Sequence, residues 1–195
     1  YSACGMPYWI GGEVTSMEQL VPRDAAYFRS RYNVDVRTSH RVLHVDSQAK
    51  TLLVERLDTG EQFTDTYDKL ILSTGASPVM LPIPGAGAEN VFLVRNPQRM
   101  RNLQAYIQTS NPKKALVVGS GFIGLEMAEN LSKRGLQVTV VEMEDHLMKP
   151  LDADVSIWLQ EVLEKNGMVV HLSDAVMSFE GNPATRAVLR SGKTL

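Results

Sequence analysis

Apolar and polar positions from Lys113 onward predict strands and helices in strict alternation. Short apolar runs indicate strands, and the longer segments between them carry apolar residues at helical spacing. The predicted elements are Ala115 to Val118, Phe122 to Arg134, Gln137 to Glu142, Asp154 to Asn166 and Met168 to Leu172. Gly135 and Gly167 follow the two helices, where a left-handed cap is favoured. This order predicts a βαβαβ unit with parallel strands and right-handed crossovers.

The same spacing predicts which side chains of the unit are buried. The expected core residues are Ile123, Met127, Ala128 and Leu131 in the first helix and Trp158, Leu159, Val162 and Leu163 in the second. The nine methionines of the chain are also expected to fill the core.

The chain before Lys113 reads as a helix followed by short strands. Pro22 and Asp24 open a helix that runs to Tyr32 and stops at Asn33, and Ser16 is expected to cap a short turn before it. The predicted strands are Val34 to Thr38, Arg41 to Asp46 and Lys50 to Leu57, which form a meander, and the apolar run Leu70 to Leu72. A boundary at Asn111-Pro112 would divide the chain into domains 1–111 and 112–195.

Composition narrows the class of protein. The chain has 195 residues and 44% hydrophobic content, enough for one or two domains. Its 20 basic and 22 acidic residues give a net charge of -2 without long runs of either sign, which disfavours nucleic acid as a partner. No apolar stretch approaches the roughly 20 residues that cross a bilayer, so we expect a cytoplasmic protein without a membrane partner. Both ends look cut, and a fragment of a longer protein is expected.

A glycine-rich turn separates the first strand of the βαβαβ unit from its first helix. The sequence Gly119-Ser120-Gly121-Phe122-Ile123-Gly124 matches G-x-G-x-x-G in the strand-turn-helix context that a dinucleotide site requires. Gly119 permits the tight turn, Gly121 admits a pyrophosphate close to the backbone, and Gly124 allows the helix and strand to pack closely. The motif predicts a dinucleotide-binding site at the start of this helix.

Glu142 ends the second predicted strand, near the spacing of about 20 residues at which a carboxylate meets the adenosine ribose. A carboxylate would repel a 2′-phosphate, so this position favours NADH. NADPH stays open because Lys149 and His146 are close in sequence. A solvated charge at the end of a strand is the alternative interpretation of Glu142.

Cys4 is the only cysteine of the chain, so an internal disulfide is impossible. A lone cysteine is commonly a small buried hydrophobe, and that interpretation stands beside a redox role. The histidines show no spacing typical of metal ligands; they are His40, His44, His146 and His171. No metal site is expected.

Three motifs together resemble the flavin-dependent pyridine nucleotide-disulfide oxidoreductases. They are Cys4-Gly5-Met6-Pro7-Tyr8, Leu72-Ser73-Thr74-Gly75-Ala76-Ser77-Pro78, and Gly119 to Glu126 followed by Val140-Val141-Glu142-Met143. The order and spacing are similar to the single-cysteine branch, which includes coenzyme A-disulfide reductases, NADH oxidases and persulfide reductases. The resemblance implies an α/β fold: a Rossmann-like NAD(P)-binding domain, truncated at its C-terminal end, plus part of a Rossmann-like FAD-binding domain in three layers (ββα). It also implies the cofactors FAD and NADH, and a homodimer of the full-length protein.

The resemblance carries over to single residues. Cys4 resembles the redox-active cysteine beside the flavin, Thr74-Gly75-Ala76 the loop against which FAD packs, and Val36 the residue whose backbone meets the FAD adenine. The cofactor-binding positions in the nicotinamide half are Gly119, Gly121, Phe122, Ile123, Gly124, Glu126 and Glu142. Phe122 resembles a gating aromatic, and Glu126 would lie near the nicotinamide. Ordinary helix packing explains Phe122 and Glu126 equally well.

The implied activity is electron transfer from NAD(P)H through FAD and Cys4 to a small-molecule disulfide, such as coenzyme A disulfide or a related persulfide. Ala3 departs from the family, since asparagine or serine often precedes the cysteine, whereas Pro7 and Tyr8 favour a disulfide reductase. One alternative is an NADH oxidase or peroxidase that uses a sulfenic acid at Cys4. A non-catalytic redox sensor that binds NADH is another. The isolated piece is expected to be inactive, because flanking FAD segments would be missing.

Overall fold

The computed structural model describes all residues from Tyr1 to Leu195. Its helices are α1 (Met6–Gly11), α2 (Met17–Leu20), α3 (Ala25–Tyr32), α4 (Pro97–Ser110), α5 (Phe122–Lys133) and α6 (Ala153–Lys165). Its strands are β1 (His40–Asp46), β2 (Thr51–Arg56), β3 (Gln62–Thr66), β4 (Lys114–Val118), β5 (Gln137–Val141), β6 (Val169–His171), β7 (Val176–Gly181) and β8 (Ala184–Leu189). No helix is both long enough and apolar enough to cross a membrane.

The chain folds into two compact units. The first unit combines Tyr1–Val21 with Ser77–Leu195, and the second is Pro22–Ala76. This division by contacts does not follow the boundary at Asn111-Pro112. The assignment of 1–111 to FAD and 112–195 to NAD(P)H concerns cofactor binding, and it stays a prediction.

The parallel sheet of the first unit confirms the predicted βαβαβ succession. Its strand order is β4-β5-β6, with β4 and β5 parallel and β5 and β6 parallel. The two helices α5 and α6 make the crossovers. Gly135 and Gly167 follow them with φ of 87° and 79°, a left-handed conformation that glycine adopts without a steric penalty.

The core of the first unit differs from the predicted one at two positions of the crossover helices and at three methionines. Ile123 is 55% exposed because it lies in the first turn of α5, at the carboxyl edge of the sheet. Trp158 is 63% exposed: Ser156 and Leu163 form the buried face of α6, and Trp158 lies on the opposite side. The other predicted positions of the two helices are buried or half-buried. Three methionines predicted to fill the core are also exposed, namely Met80, Met143 and Met177.

The first unit contains three features that the sequence pattern did not predict. Helix α1 follows Cys4 and ends at Gly11, and its C-cap Gly12 has φ of 92°. Helix α4 begins where the Asn96 side chain accepts a hydrogen bond from the Arg99 N–H, with Pro97 as its first residue. The antiparallel pair β7-β8 packs a small second cluster of apolar side chains at the end of the chain.

The second unit joins α3 to an antiparallel meander in the order β1-β2-β3. Helix α3 confirms the predicted helix and its stop at Asn33, which adopts the left-handed conformation, and the Asp24 side chain caps the helix by accepting from the Tyr27 N–H. The prediction of a strand at Val34 to Thr38 is wrong; β3 supplies the third strand instead.

The prediction of a strand at Leu70 to Leu72 is also wrong. This segment forms no ladder, and Ile71 is 86% exposed. A strand is stabilised by hydrogen bonds to a neighbouring strand, and none pairs with this run.

Ser16, by contrast, does precede the short helix α2, although its side chain makes no capping hydrogen bond.

Candidate functional site

The glycine turn lies between β4 and α5 and leaves its backbone open. Gly119 has φ of 96°, which disfavours any side chain there. A Cβ added at Gly121 would meet no atom within 4 Å, whereas one added at Gly124 would collide with the Gly119 carbonyl oxygen. Gly124 therefore serves the fold, and the space above Gly121 is free for a ligand.

The N-terminus of α5 presents backbone donors that no side chain satisfies. Gly121 is the N-cap and provides no side-chain hydrogen bond, and the first turn contains no acidic residue. The first backbone bond of the helix runs from the Leu125 N–H to the Gly121 carbonyl at 3.0 Å. The N–H groups of Phe122, Ile123 and Gly124 precede this first bond, and the partial positive charge of the helix lies at the same end, which is the arrangement that binds phosphate.

Glu142 directly follows β5, and its carboxylate is fixed by the turn. Its Oε2 accepts from the Ser120 N–H and from the Ser120 hydroxyl, both at 2.7 Å, and its Oε1 accepts from the Glu144 N–H at 3.0 Å. Partial burial acts to raise the pKa of Glu142, but the hydrogen bonds from Glu144 and Ser120 outweigh it and lower the pKa below the ordinary value. A freely solvated charge does not describe this carboxylate.

Charges on the loop after Glu142 are paired with one another. Lys149 Nζ lies 2.6 Å from Glu144 Oε1, and His146 Nδ1 lies 2.6 Å from Asp145 Oδ1. The hydrogen bond to Glu144 raises the pKa of Lys149, and the one to Asp145 raises the pKa of His146. The two basic side chains that left NADPH open in the sequence are thus engaged by neighbouring carboxylates.

Cys4 is an exposed free thiol in the turn that precedes α1. The turn is tied down because the Ser2 N–H donates to the Leu20 carbonyl at 2.7 Å. A Cβ added at Gly5 would lie 2.6 Å from Leu20 Cδ2, so a larger residue there would require the Leu20 side chain to shift. The exposure contradicts the interpretation of Cys4 as a small buried hydrophobe.

Phe122 and Glu126 lie on α5 after the glycine turn. Phe122 is 66% exposed, so core packing does not account for its ring. Glu126 is half-buried one turn further along the helix. Their positions near a flavin and a nicotinamide stay predictions.

The residues predicted to meet FAD lie in the second unit. Thr74, Gly75 and Ala76 are exposed at its C-terminal end, and Gly75 has φ of 73°, which favours glycine. Val36 is an exposed residue between α3 and β1. Within the first unit, the structure brings together the glycine turn and Glu142, and it packs the helix that follows Cys4 against α5.

Sequence reasoning missed two buried polar residues of this region, Ser120 and Asn130. Ser120 is an unspecified position of the glycine motif, and Asn130 lies in a helix without a motif of its own. Neither position carries a signal in the sequence, because each acts through a contact that only the folded chain creates. No group of three or more His, Cys, Asp or Glu side chains is arranged to hold a metal ion.

Comparison with known proteins identifies the family. Residues 1–195 match the pyridine nucleotide-disulphide oxidoreductases, and the chain belongs to that family. It is 38% identical over 194 residues to a Methanocaldococcus jannaschii protein named NADH oxidase, and 33% identical over 193 residues to a Staphylococcus aureus coenzyme A disulfide reductase. Each alignment covers 99% of this chain and 43% of the relative.

Solved structures confirm the α/β fold class. The reduced Bacillus anthracis CoADR-RHD has a TM-score of 0.95 at 35% identity, covering 100% of this chain and 35% of that one. An NAD-dependent persulfide reductase from A. fulgidus has a TM-score of 0.90 at 34% identity, covering 99% and 36%. A FAD-dependent pyridine nucleotide-disulphide oxidoreductase from Desulfovibrio vulgaris has a TM-score of 0.71 at 31% identity, covering 100% and 48%. The predicted cofactors, FAD and NADH, agree with these neighbours.

Proposed function

We propose that this chain is the cysteine-bearing and NADH-binding part of a flavoprotein that reduces a small-molecule disulfide. The overall reaction would be NADH + H⁺ + RSSR → NAD⁺ + 2 RSH. The observation that carries the proposal is the exposed thiol of Cys4. It lies in the turn before α1, and α1 packs against α5, the helix that begins at the open glycine turn. Coenzyme A disulfide or a related persulfide is the favoured substrate, because relatives with these activities match nearly all of the chain.

The glycine turn and α5 would bind the pyrophosphate of NADH. The free backbone donors at the start of α5 supply the anion site, and the open face of Gly121 admits the phosphates. Glu142 would accept hydrogen bonds from the adenosine ribose with the lone pairs that Ser120 and Glu144 leave free. Phe122 and Ile123 are exposed at this end of the helix, where they would contact the nicotinamide half.

The charges at Glu142 and on the loop that follows it favour NADH over NADPH. The ionised Glu142 would repel a 2′-phosphate, and the basic side chains that follow it in the sequence, Lys149 and His146, are already paired with Glu144 and Asp145. Binding a 2′-phosphate would require breaking one of these pairs.

FAD, when bound, supplies a two-electron carrier between the nicotinamide and sulfur. Thr74, Gly75, Ala76 and Val36 would hold it in the full-length protein, and the positive φ of Gly75 shows a backbone that only glycine adopts easily. The remaining FAD contacts would come from chain outside these residues. Domains 1–111 and 112–195 are accordingly proposed as the FAD-binding and NAD(P)H-binding parts, within a homodimeric full-length protein.

Cys4 would carry the sulfur chemistry. Its thiolate attacks one sulfur of the disulfide, a new S–S bond to Cys4 forms, the substrate S–S bond breaks, and the first thiol leaves. Two electrons and a proton from NADH then cleave the mixed disulfide, which releases the second thiol and restores the Cys4 thiolate. One cysteine is sufficient because the substrate supplies the second sulfur.

A second candidate is an NADH oxidase or peroxidase in which Cys4 alternates between thiol and sulfenic acid. The relative named NADH oxidase and the exposure of Cys4 favour it. A sensor that binds NADH without turnover belongs to a different class, and sustained NADH consumption would exclude it.

The test is an assay of the full-length protein for NADH oxidation with coenzyme A disulfide, a polysulfide or oxygen as acceptor. We expect coenzyme A disulfide or the polysulfide to support turnover, and Cys4→Ser to lower that rate at least about a thousandfold, since the nucleophile is removed. The neighbouring Ala3→Ser variant is the matched control and should stay within about twofold. Full disulfide reduction by Cys4→Ser would refute the mechanism, and turnover with oxygen alone would favour the oxidase.

A further inference from the structure

Asn130 is a fully buried polar residue in the second half of α5. Its side-chain Nδ2 donates to the Glu126 carbonyl, one turn earlier in the same helix, at 2.8 Å. Its Oδ1 is the only buried side-chain nitrogen or oxygen in the structure without a hydrogen-bond partner. Burial of an unpaired acceptor is unfavourable, so a buried amide here calls for a compensating role.

The unpaired oxygen faces Gly11, the last residue of α1. A Cβ built at Gly11 would collide with Asn130 Oδ1. The hydrogen that glycine carries in place of Cβ therefore points at the oxygen, which is the geometry of a weak Cα–H···O contact. The pair Gly11 and Asn130 thus sets how closely α1 approaches α5.

Two further contacts fix the same end of α1. Arg134 Nη1 donates to the Ile10 carbonyl at 2.8 Å and to Gln104 Oε1 of α4 at 2.7 Å. Lys133 Nζ lies 2.8 Å from Glu13 Oε1, in the turn after α1. The C-terminal end of α1 is therefore attached to the last turns of α5 by a steric contact, a hydrogen bond and an ion pair.

We infer that Asn130, through Gly11, is a positioning residue for Cys4. Cys4 precedes the N-terminal end of α1, and the glycine turn precedes the N-terminal end of α5. We expect the six-residue helix α1 to move as a unit, so that a displacement at Gly11 is passed to the turn that holds Cys4. The contact between Gly11 and Asn130 thus sets the position of the thiol relative to the nucleotide end of α5. This role rests on the proposed function, in which Cys4 exchanges sulfur with a disulfide.

The chemistry of the contact separates this role from plain core packing. An apolar side chain of similar size would fill the space next to Gly11 without an unpaired acceptor. The amide instead contacts two backbones. Its Oδ1 faces Gly11 of α1, and its Nδ2 donates to the Glu126 carbonyl of its own helix.

The test uses the full-length protein with Gly11→Ala, Asn130→Ala and the double variant. The new methyl group of Gly11→Ala displaces α1, and Asn130→Ala loosens it; in the double variant the methyl occupies the space that the amide leaves. We expect each single variant to slow modification of Cys4 by dithiobis(nitrobenzoate), or to change the rate of disulfide turnover, in either case by about tenfold or more. Peptide mass spectrometry monitors the modification of Cys4. The double variant should return to within about threefold of the wild type.

A second readout separates positioning from general damage. Reduction of ferricyanide by NADH bypasses Cys4, so its rate and the KM for NADH should stay within about twofold in all three variants. Matched controls are Gly87→Ala, where the added methyl meets open space, and Asn166→Ala, whose Nδ2 donates to the Val162 carbonyl as Asn130 does to Glu126. Both controls should leave Cys4 unchanged.

The inference fails if both single variants leave the Cys4 rates unchanged, if ferricyanide reduction falls in parallel with disulfide reduction, or if the double variant shows no recovery. Should Gly11→Ala not fold, Asn130→Ala and the double variant still decide between these outcomes. Modification of Cys4 requires no turnover. A wild-type protein that reduces no disulfide would therefore refute the proposed function while the labelling rates still test the contact.

Discussion

Ser120 donates both its backbone N–H and its hydroxyl to the same oxygen of Glu142, each at 2.7 Å. The Ser120 hydroxyl also accepts from the Met148 N–H at 3.2 Å. One buried side chain therefore joins the glycine turn after β4 to the carboxylate after β5 and to the loop that leads to α6. The position of Glu142 relative to Gly121 is set by this side chain, and the same relationship would set how a dinucleotide meets both.

We expect Ser120→Ala to weaken both the fold and NADH binding. The substitution removes one donor to Glu142 and leaves the buried Met148 N–H without its acceptor, at a cost of about 1–3 kcal/mol in the free energy of unfolding. Urea unfolding and NADH titration measure the two effects. Ser156→Ala is the control, because the Ser156 hydroxyl is equally buried and donates to the Leu147 carbonyl, away from Glu142. An NADH affinity that changes equally in both variants would show that Ser120 acts through stability alone.

The lowered pKa of Glu142 predicts a pH dependence of stability. A group whose pKa is lower in the folded state stabilises that state above its unfolded pKa and loses the contribution as pH falls through the folded value. We therefore expect wild-type protein to be more stable than Glu142→Gln at pH 7. The difference should shrink as the pH falls below the ordinary value of 4.5 and on through the lowered pKa.

Urea unfolding of wild type and Glu142→Gln across this pH range measures the effect of Glu142 on the stability of the protein. Glu164→Gln is the control, since Glu164 accepts only from the exposed Gln160 amide. A stability difference between wild type and Glu142→Gln that stays constant from pH 7 to pH 3 would contradict the assigned hydrogen bonds.

The βαβαβ unit was predictable because its signals are local. Short apolar runs, helical spacing and the glycines at 135 and 167 all act within a few residues, and they place β4, α5, β5, α6 and β6 to within one or two positions. Helix α4 also has a local signal in Asn96-Pro97, a capping residue followed by proline, but neither this helix nor the hairpin of β7 and β8 is among the predicted elements.

The wrong predictions depended on partners that local sequence does not reveal. Leu70 to Leu72 has the composition of a buried strand, but a strand forms only beside another strand. The helical spacing of apolar residues predicts that Trp158 is buried, although its position on α6 is opposite Ser156. Among site residues, the glycines and Glu142 followed from a motif, whereas Ser120 and Asn130 matter through contacts between distant segments.

Two glycines of the same turn predict opposite outcomes for the same substitution. Gly121→Ala places a methyl group in open space at φ of -69°, so the protein should keep its unfolding midpoint. Its NADH affinity should fall by about tenfold or more, because the methyl group occupies the space through which the pyrophosphate approaches the backbone. Gly124→Ala forces a methyl group onto the Gly119 carbonyl, so it should lower stability by about 1–3 kcal/mol. Thermal unfolding and NADH titration of each variant separate the two. Unchanged NADH affinity in a stable Gly121→Ala protein would remove the glycine turn from the proposed site.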